Sequence, residues 1–232
     1  MRRILLATVA ALTLGAASPP PPAPLLLNAA NLDPALLLPP APLPDSAVGH
    51  AELEQLHHMD ASRTPAEVER ARADDAVKDV TIFAAAMGPG FALDRLPETQ
   101  ALFHIVRAEE KAAADRAKTH FLRSRPWIVD ATLHPCSTAD EPQSSYPSGH
   151  ATMGYAMAAI LAQLAPDKAP AILARAADYA NARLVCEVHF RSDVAAGQAY
   201  GMMIAERLME QPEFRRHFDA AAAELKAAEL AG

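Results

Sequence analysis

Glycine and aromatic residues are scarce in this chain, with nine Gly and 5% Phe, Trp and Tyr among 232 residues. With Ala and Leu plentiful, that scarcity favours helix over a many-stranded sandwich or barrel. Basic runs are missing as well. No block of five or six Lys or Arg occurs, and 21 basic against 28 acidic residues leave a net charge of -7, so there is no nucleic-acid footprint. Past the first residues, no apolar run reaches the ~18 positions of a membrane-spanning helix, and a soluble protein without a membrane span is expected. Cysteine is limited to Cys136 and Cys186. No carboxylate cluster or Cys/His set has metal-site spacing, so neither metal nor cofactor is expected.

What is present is enough for one sizeable core, since 51% of the residues are hydrophobic and 21% charged. The expectation is an all-α, compact helical bundle domain over residues 47–232, preceded by an extended Pro-rich N-terminal arm over 18–46. Residues 1–17 run from Arg2 and Arg3 through the apolar Ile4 to Leu14 to Gly15, Ala16 and Ala17, the order of a secretory signal peptide. That reading implies a periplasmic or secreted protein. In such a compartment, two cysteines in one domain are read first as a disulfide, with two unpaired buried thiols as the alternative.

Ten of the 20 prolines precede residue 46, which favours extended chain there. Leu25 to Leu27 and Leu36 to Leu38 interrupt them, so part of the arm is expected to lie on the folded domain or on a partner subunit. Helices are then expected over 47–60, from Thr64 to about Met87, from Pro97 to near Arg125, and over 148–164, 167–188, 192–210 and 212–230. Thr64, Pro65 and Glu67 form a capping-box signature. Residues 127–147, with Pro135, Pro142 and Pro147, read as a long functional loop.

Three stretches place cations, histidines and a helix start where a compact dianion could be held. Lys118 and Arg125 lie seven apart, two helical turns, so both can project from one face as a point charge and a planar fork. Lys111, Arg116 and Arg123 nearby leave open a merely solvated basic face. Ser148 and Gly149, ahead of His150 and an apolar helix, offer a capping hydroxyl and free N–H groups at a positive helix end, or simply an ordinary cap. Arg183 precedes His189 and Asp193, whose i, i+4 spacing lets the carboxylate hold one ring nitrogen and free the other, though such pairs also occur as surface hydrogen bonds.

In order, Lys118-x6-Arg125-Pro126, Pro147-Ser148-Gly149-His150 and Arg183-x5-His189-x3-Asp193 resemble the three-part signature of the type 2 phosphatidic acid phosphatase (PAP2) superfamily, shared with vanadium haloperoxidases. The leader, the Leu- and Pro-rich arm, the length and the Cys pair are similar to the bacterial class A nonspecific acid phosphatases. One position departs from the pattern, Ala182 standing where Ser is usual.

The resemblance implies a metal-independent acid phosphatase of broad specificity on small phosphate monoesters, with transfer to an alcohol as a variant outcome. It assigns His189 as nucleophile, Asp193 as its orienter and His150 as general acid. Lys118, Arg125, Ser148, Gly149 and Arg183 would bind phosphate. The same oxyanion cradle fits a vanadate-dependent haloperoxidase, against which the short chain and the phosphatase-like arm argue. It also fits a non-catalytic phosphate-binding module, which would not need both histidines and Asp193. A homo-oligomer is compatible with the apolar arm.

Overall fold

A computed structural model describes residues 25–232. The expected leader and the first part of the arm lie outside the described residues. Within them the chain is helical, and no strand occurs among the described residues.

Helix α1 (Pro34–Leu37) is a single turn capped by Asp33, and α2 (Ala47–Ser62) starts on Ser46, whose Oγ accepts from Gly49 N at 3.0 Å. Residues 25–46 dock on the domain: Leu27, Leu32 and Leu38 are buried in the core. The buried Glu109 carboxylate accepts from the backbone N–H groups of Leu26 and Leu27 at 2.5 and 3.0 Å. Tyr146 Oη donates to Pro39 O at 2.8 Å, fastening the same segment to the chain just ahead of Ser148.

Helix α3 (Pro65–Ala76) opens on the expected capping box, with Glu67 accepting from Thr64 N at 2.7 Å. It does not run to Met87. Asp79 caps a 3-10 turn over Val80–Phe83, accepting from Thr81 N at 2.8 Å, and α4 (Ala84–Met87) follows before Gly88 turns the chain at φ 97. The break has a packing cause. Val80, Ile82 and Phe83 are all buried, whereas one continuous helix would spread them around its circumference.

The long α5 (Pro97–Phe121) also stops short of Arg125, because Leu122 adopts left-handed geometry at φ 48. Arg123 and Arg125 therefore leave the helix and turn inward, and Arg125 precedes the short α6 (Pro126–Val129). Helix α7 (Gly149–Leu164) is the central element, every residue from Ala151 to Leu161 being buried. Around it pack α8 (Ala169–Val185), α9 (Arg191–Met209) and α10 (Pro212–Ala227). Helix α8 ends before His189, which lies in a tight connection where Glu187 takes φ 53.

Helices α7 and α9 meet backbone to backbone. A Cβ on Gly197 would lie 2.6 Å from Ser148 O and 2.8 Å from Ala151 Cβ, and one on Gly201 would lie 2.9 Å from Ala156 N. Hydrogen at these two α9 positions, four apart on one face, lets the start of α7 sit against the start of α9. Cys136 and Cys186 form a disulfide with Cα atoms 4.8 Å apart, and Cys136 N donates to Cys186 O at 3.0 Å. The 127–147 segment is thereby tied to the chain three residues ahead of His189.

Candidate active site

A cavity of about 220 Å³ opens between α5, the start of α7 and the connection into α9, and Lys118, Arg125, Gly149, His150 and His189 all line it. Lys118 comes from the last turn of α5, and its Nζ would lie 3.5 Å from a Cβ on Gly149, so the ammonium stands over the first residue of α7. Ser148, fully buried, caps α7, with Oγ accepting from Ala151 N at 3.4 Å. Its own N–H donates to Asp193 O at 3.0 Å, which joins the second and third motifs through the backbone.

His189 is buried between two partners. Arg125 Nη1 donates to Nε2 at 3.0 Å, so Nε2 carries the lone pair and the ring proton sits on Nδ1. Nδ1 faces Asp193 Oδ2 at 3.4 Å. His189 lies outside α9 and Asp193 in its first turn, so the pair meets across a bend rather than along one helix face. Asp193 is saturated otherwise: Oδ1 accepts from Arg123 Nη1 at 2.6 Å, and Oδ2 from Ser145 Oγ at 2.6 Å and from Phe190 N at 2.8 Å. Arg125 and Lys118 do share the cavity, but not as neighbours on one helix, because Arg125 follows the turn at Leu122.

Burial and charge set the protonation states. Burial foremost, then Arg125, Lys118 and Arg183, holds the His189 pKa well below its ordinary value, so the ring stays neutral. Burial also pushes Asp193 up to about 6, against the pull of Arg123, Ser145 and the Phe190 amide. Lys118 is brought down to about 8 by burial and then by Arg125, which still leaves it charged in acid. Burial lowers His150 too, opposed by the carboxylate of Asp75. The buried guanidiniums of Arg125 and Arg183 each keep Nε without a hydrogen-bond partner.

Four residues of this constellation were not singled out from the sequence. Arg123, read there only as part of a basic face, pairs with Asp193 and, through Nη2 at 2.8 Å, with the buried Glu52 of α2. Ser145 holds Asp193. Asp75, at the end of α3, places Oδ1 3.1 Å from His150 Nε2 and 2.9 Å from Arg183 Nη1, and the hydrogen bond from His150 holds its carboxyl well below the usual range. The one sequence signal for Asp75 was an acidic residue ending a helix, and such residues are common on solvated faces.

Residues 102–216, which hold all three motifs, match the PAP2 superfamily. An acid phosphatase of Zymomonas mobilis subsp. mobilis is 36% identical over 150 residues, covering 63% of this chain and 56% of that protein. A non-specific acid phosphatase of Salmonella typhimurium is 29% identical over 150 residues, 62% of this chain and 60% of its own length. That of Providencia stuartii is 28% identical over 163 residues, 65% of each. The chain thus spans less than two thirds of the length of these relatives. With its three motifs gathered around one buried imidazole, the stretch 102–216 is a PAP2 superfamily domain.

Proposed function

We propose that this protein is an exported acid phosphatase that hydrolyses small phosphate monoesters by way of a phosphohistidine. The observation that carries the reading is a buried, neutral imidazole with its lone pair on Nε2, surrounded by three buried or half-buried cations, two of which have unpartnered donors. A phosphoryl dianion supplies the acceptors those donors need, and fixed cations stabilise the charge that builds on its equatorial oxygens. The names of the relatives support the reaction class. Residues 1–17 support export.

In the first step Arg125 turns its Nη1 donor from Nε2 to the phosphoryl oxygens, the Nε2 lone pair of His189 so released attacks phosphorus, and the bond to the leaving oxygen breaks. His150 gives that oxygen its proton. Asp193 keeps the Nδ1 proton of His189 in place and balances the positive charge the ring acquires. Lys118, Arg125 and Arg183 hold the phosphoryl oxygens, with Ser148 and the Gly149 amide completing the cradle. In the second step His150 takes a proton from water, the water oxygen attacks phosphorus, and the P–N bond breaks to release phosphate. An alcohol in place of water gives phosphoryl transfer. Asp75 orients His150 and Arg183 together.

The test is hydrolysis of p-nitrophenyl phosphate across pH by the purified protein, with and without EDTA, beside His189→Ala. Chelator-resistant turnover in acid, lost in the variant together with an acid-quenched phosphoenzyme, is the expected result. An inactive wild-type protein, or a variant that retains turnover, overturns the reading.

A further inference from the structure

The proposed chemistry uses one end of the cavity and leaves the other unassigned. Arg107, Glu110, Lys111 and Lys118 recur along one face of α5 and line the same space, with Lys78 entering from the chain after α3. Arg107 lies eleven residues before Lys118, about 16 Å along the helix axis. Its Nε donates to Lys78 O at 3.1 Å, which brings two cationic residues together at the far end.

The charge there is not cancelled. Arg107 Nη1 contacts Glu110, but that carboxyl is buried, and burial pushes its pKa up to about 8 despite the guanidinium, so in acid it is a neutral group. Lys111 differs, being paired with Asp115 at 2.6 Å in an exposed ion pair. Asp140, the other carboxylate on the cavity wall, is taken by Arg125 Nη2 at 3.2 Å. What remains is an excess of positive charge at Arg107 and Lys78: the one carboxyl touching Arg107 is the buried Glu110, and Asp75, near Lys78, is shared with His150 and Arg183.

We infer that Arg107 and Lys78 form a second anion subsite, and that the preferred substrates are phosphate monoesters whose leaving group carries a second anionic group across a sugar-sized skeleton. The inference rests on the phosphatase reading and specifies the leaving group for that site. Arg107 and Lys118 leave the helix about 16 Å apart along its axis, so a leaving group that meets both ends carries its second anionic group at a distance from the phosphoryl group. A hexose bisphosphate carries two such groups across a sugar skeleton, and both cationic ends line the same cavity of about 220 Å³.

The experiment compares initial kcat/KM for a hexose 1,6-bisphosphate with that for the matching hexose 6-phosphate, alongside p-nitrophenyl phosphate, in wild type, Arg107→Gln and Lys78→Gln. Lys78 is exposed, so its variant keeps the test open should Arg107→Gln fold poorly. The wild type is expected to favour the bisphosphate about tenfold, as one charge-assisted contact allows, beyond the roughly twofold advantage of having two phosphates. The ratio should fall to about threefold or less in either variant. A wild-type ratio near two, or one unchanged in both variants, overturns the subsite while p-nitrophenyl phosphate turnover upholds the phosphatase reading. Loss of p-nitrophenyl phosphate turnover in the wild type overturns both.

Discussion

Arg123 Nη1 donates to Asp193 Oδ1 at 2.6 Å, across 70 residues of sequence, and this buried ion pair holds the carboxylate that faces His189. The other arm of the same guanidinium binds Glu52, so one arginine compensates two buried carboxylates. Arg123→Ala strands both. Unfolding by urea at pH 7 should show a loss of about 3 to 5 kcal/mol, the usual cost of breaking a buried pair. The loss should shrink as pH falls below about 6, where Asp193 takes up a proton. A loss independent of pH would show that the pair is not what stabilises this corner.

On the proposed phosphatase reading, the pH dependence of turnover follows from His189, Asp193 and His150. On the proposed mechanism His189 must be neutral and Asp193 ionised in the first step; burial keeps His189 neutral well below its ordinary value, so the acid limb of kcat/KM follows Asp193, pushed up to about 6. His150 must be protonated to act as acid, and its pKa is also lowered, so the basic limb of the free enzyme falls on the acid side as well. The profile for p-nitrophenyl phosphate should be a bell centred in acid. A plateau extending above pH 8 would exclude His150 as the general acid.

Asp75 acts through His150. Its carboxylate favours the imidazolium, so Asp75→Asn should lower the His150 pKa further and shift the basic limb to lower pH, leaving the acid limb in place. A uniform drop in rate with no shift in the profile would make Asp75 merely structural. Since Asp75 also meets Arg183, KM should rise in the same variant by about threefold to tenfold.

Gly197→Ala places a methyl group 2.6 Å from Ser148 O, at the point where α7 and α9 touch. Backbone on the far side cannot step aside as a flexible side chain would, so the helices must separate. Stability should drop by about 1 to 3 kcal/mol. Because Ser148 and Asp193 sit at this junction, kcat for p-nitrophenyl phosphate should fall at least about tenfold. Stability lost without activity would show that the junction does not position the site.

Glu110 makes a stability prediction of known sign. Its folded pKa of about 8 stands above the unfolded value near 4.5, so the folded state binds the proton more tightly and stability falls as pH rises through that window. Glu110→Gln should leave stability unchanged at pH 4 and raise it by about 5 kcal/mol at pH 9, read as melting temperature against pH. No gain at high pH would mean that the carboxyl ionises at its ordinary value.

Local signals were readable in the sequence wherever one segment settles its own conformation. Thr64 and Glu67 announced the start of α3, Ser148 that of α7, and the uninterrupted apolar run after it a central helix. Helix ends were less legible. The extension of α3 to Met87 failed because burying Val80, Ile82 and Phe83 together outweighs helical continuity, and Asp79 supplied a cap for the turn that does it. The end of α5 was placed four residues late because left-handed geometry at Leu122 has no local signature comparable to a Gly. The partners of the histidines were not legible at all, since Asp75 reaches His150 over 75 residues and Ser145 reaches Asp193 over 48.

The sequence by itself determined the helical class, through composition and periodicity, and the chemical inventory of the site, through three motifs whose order and spacing are properties of the chain. Which groups are charged, and which ring nitrogen of His189 carries the lone pair, was decided by the tertiary structure. Burial, the approach of α9 to α7 through Gly197 and Gly201, and the turn at Leu122 bring Arg123 and Arg125 to opposite sides of one imidazole. Protonation depends on surroundings contributed by distant segments, and no local pattern encodes those.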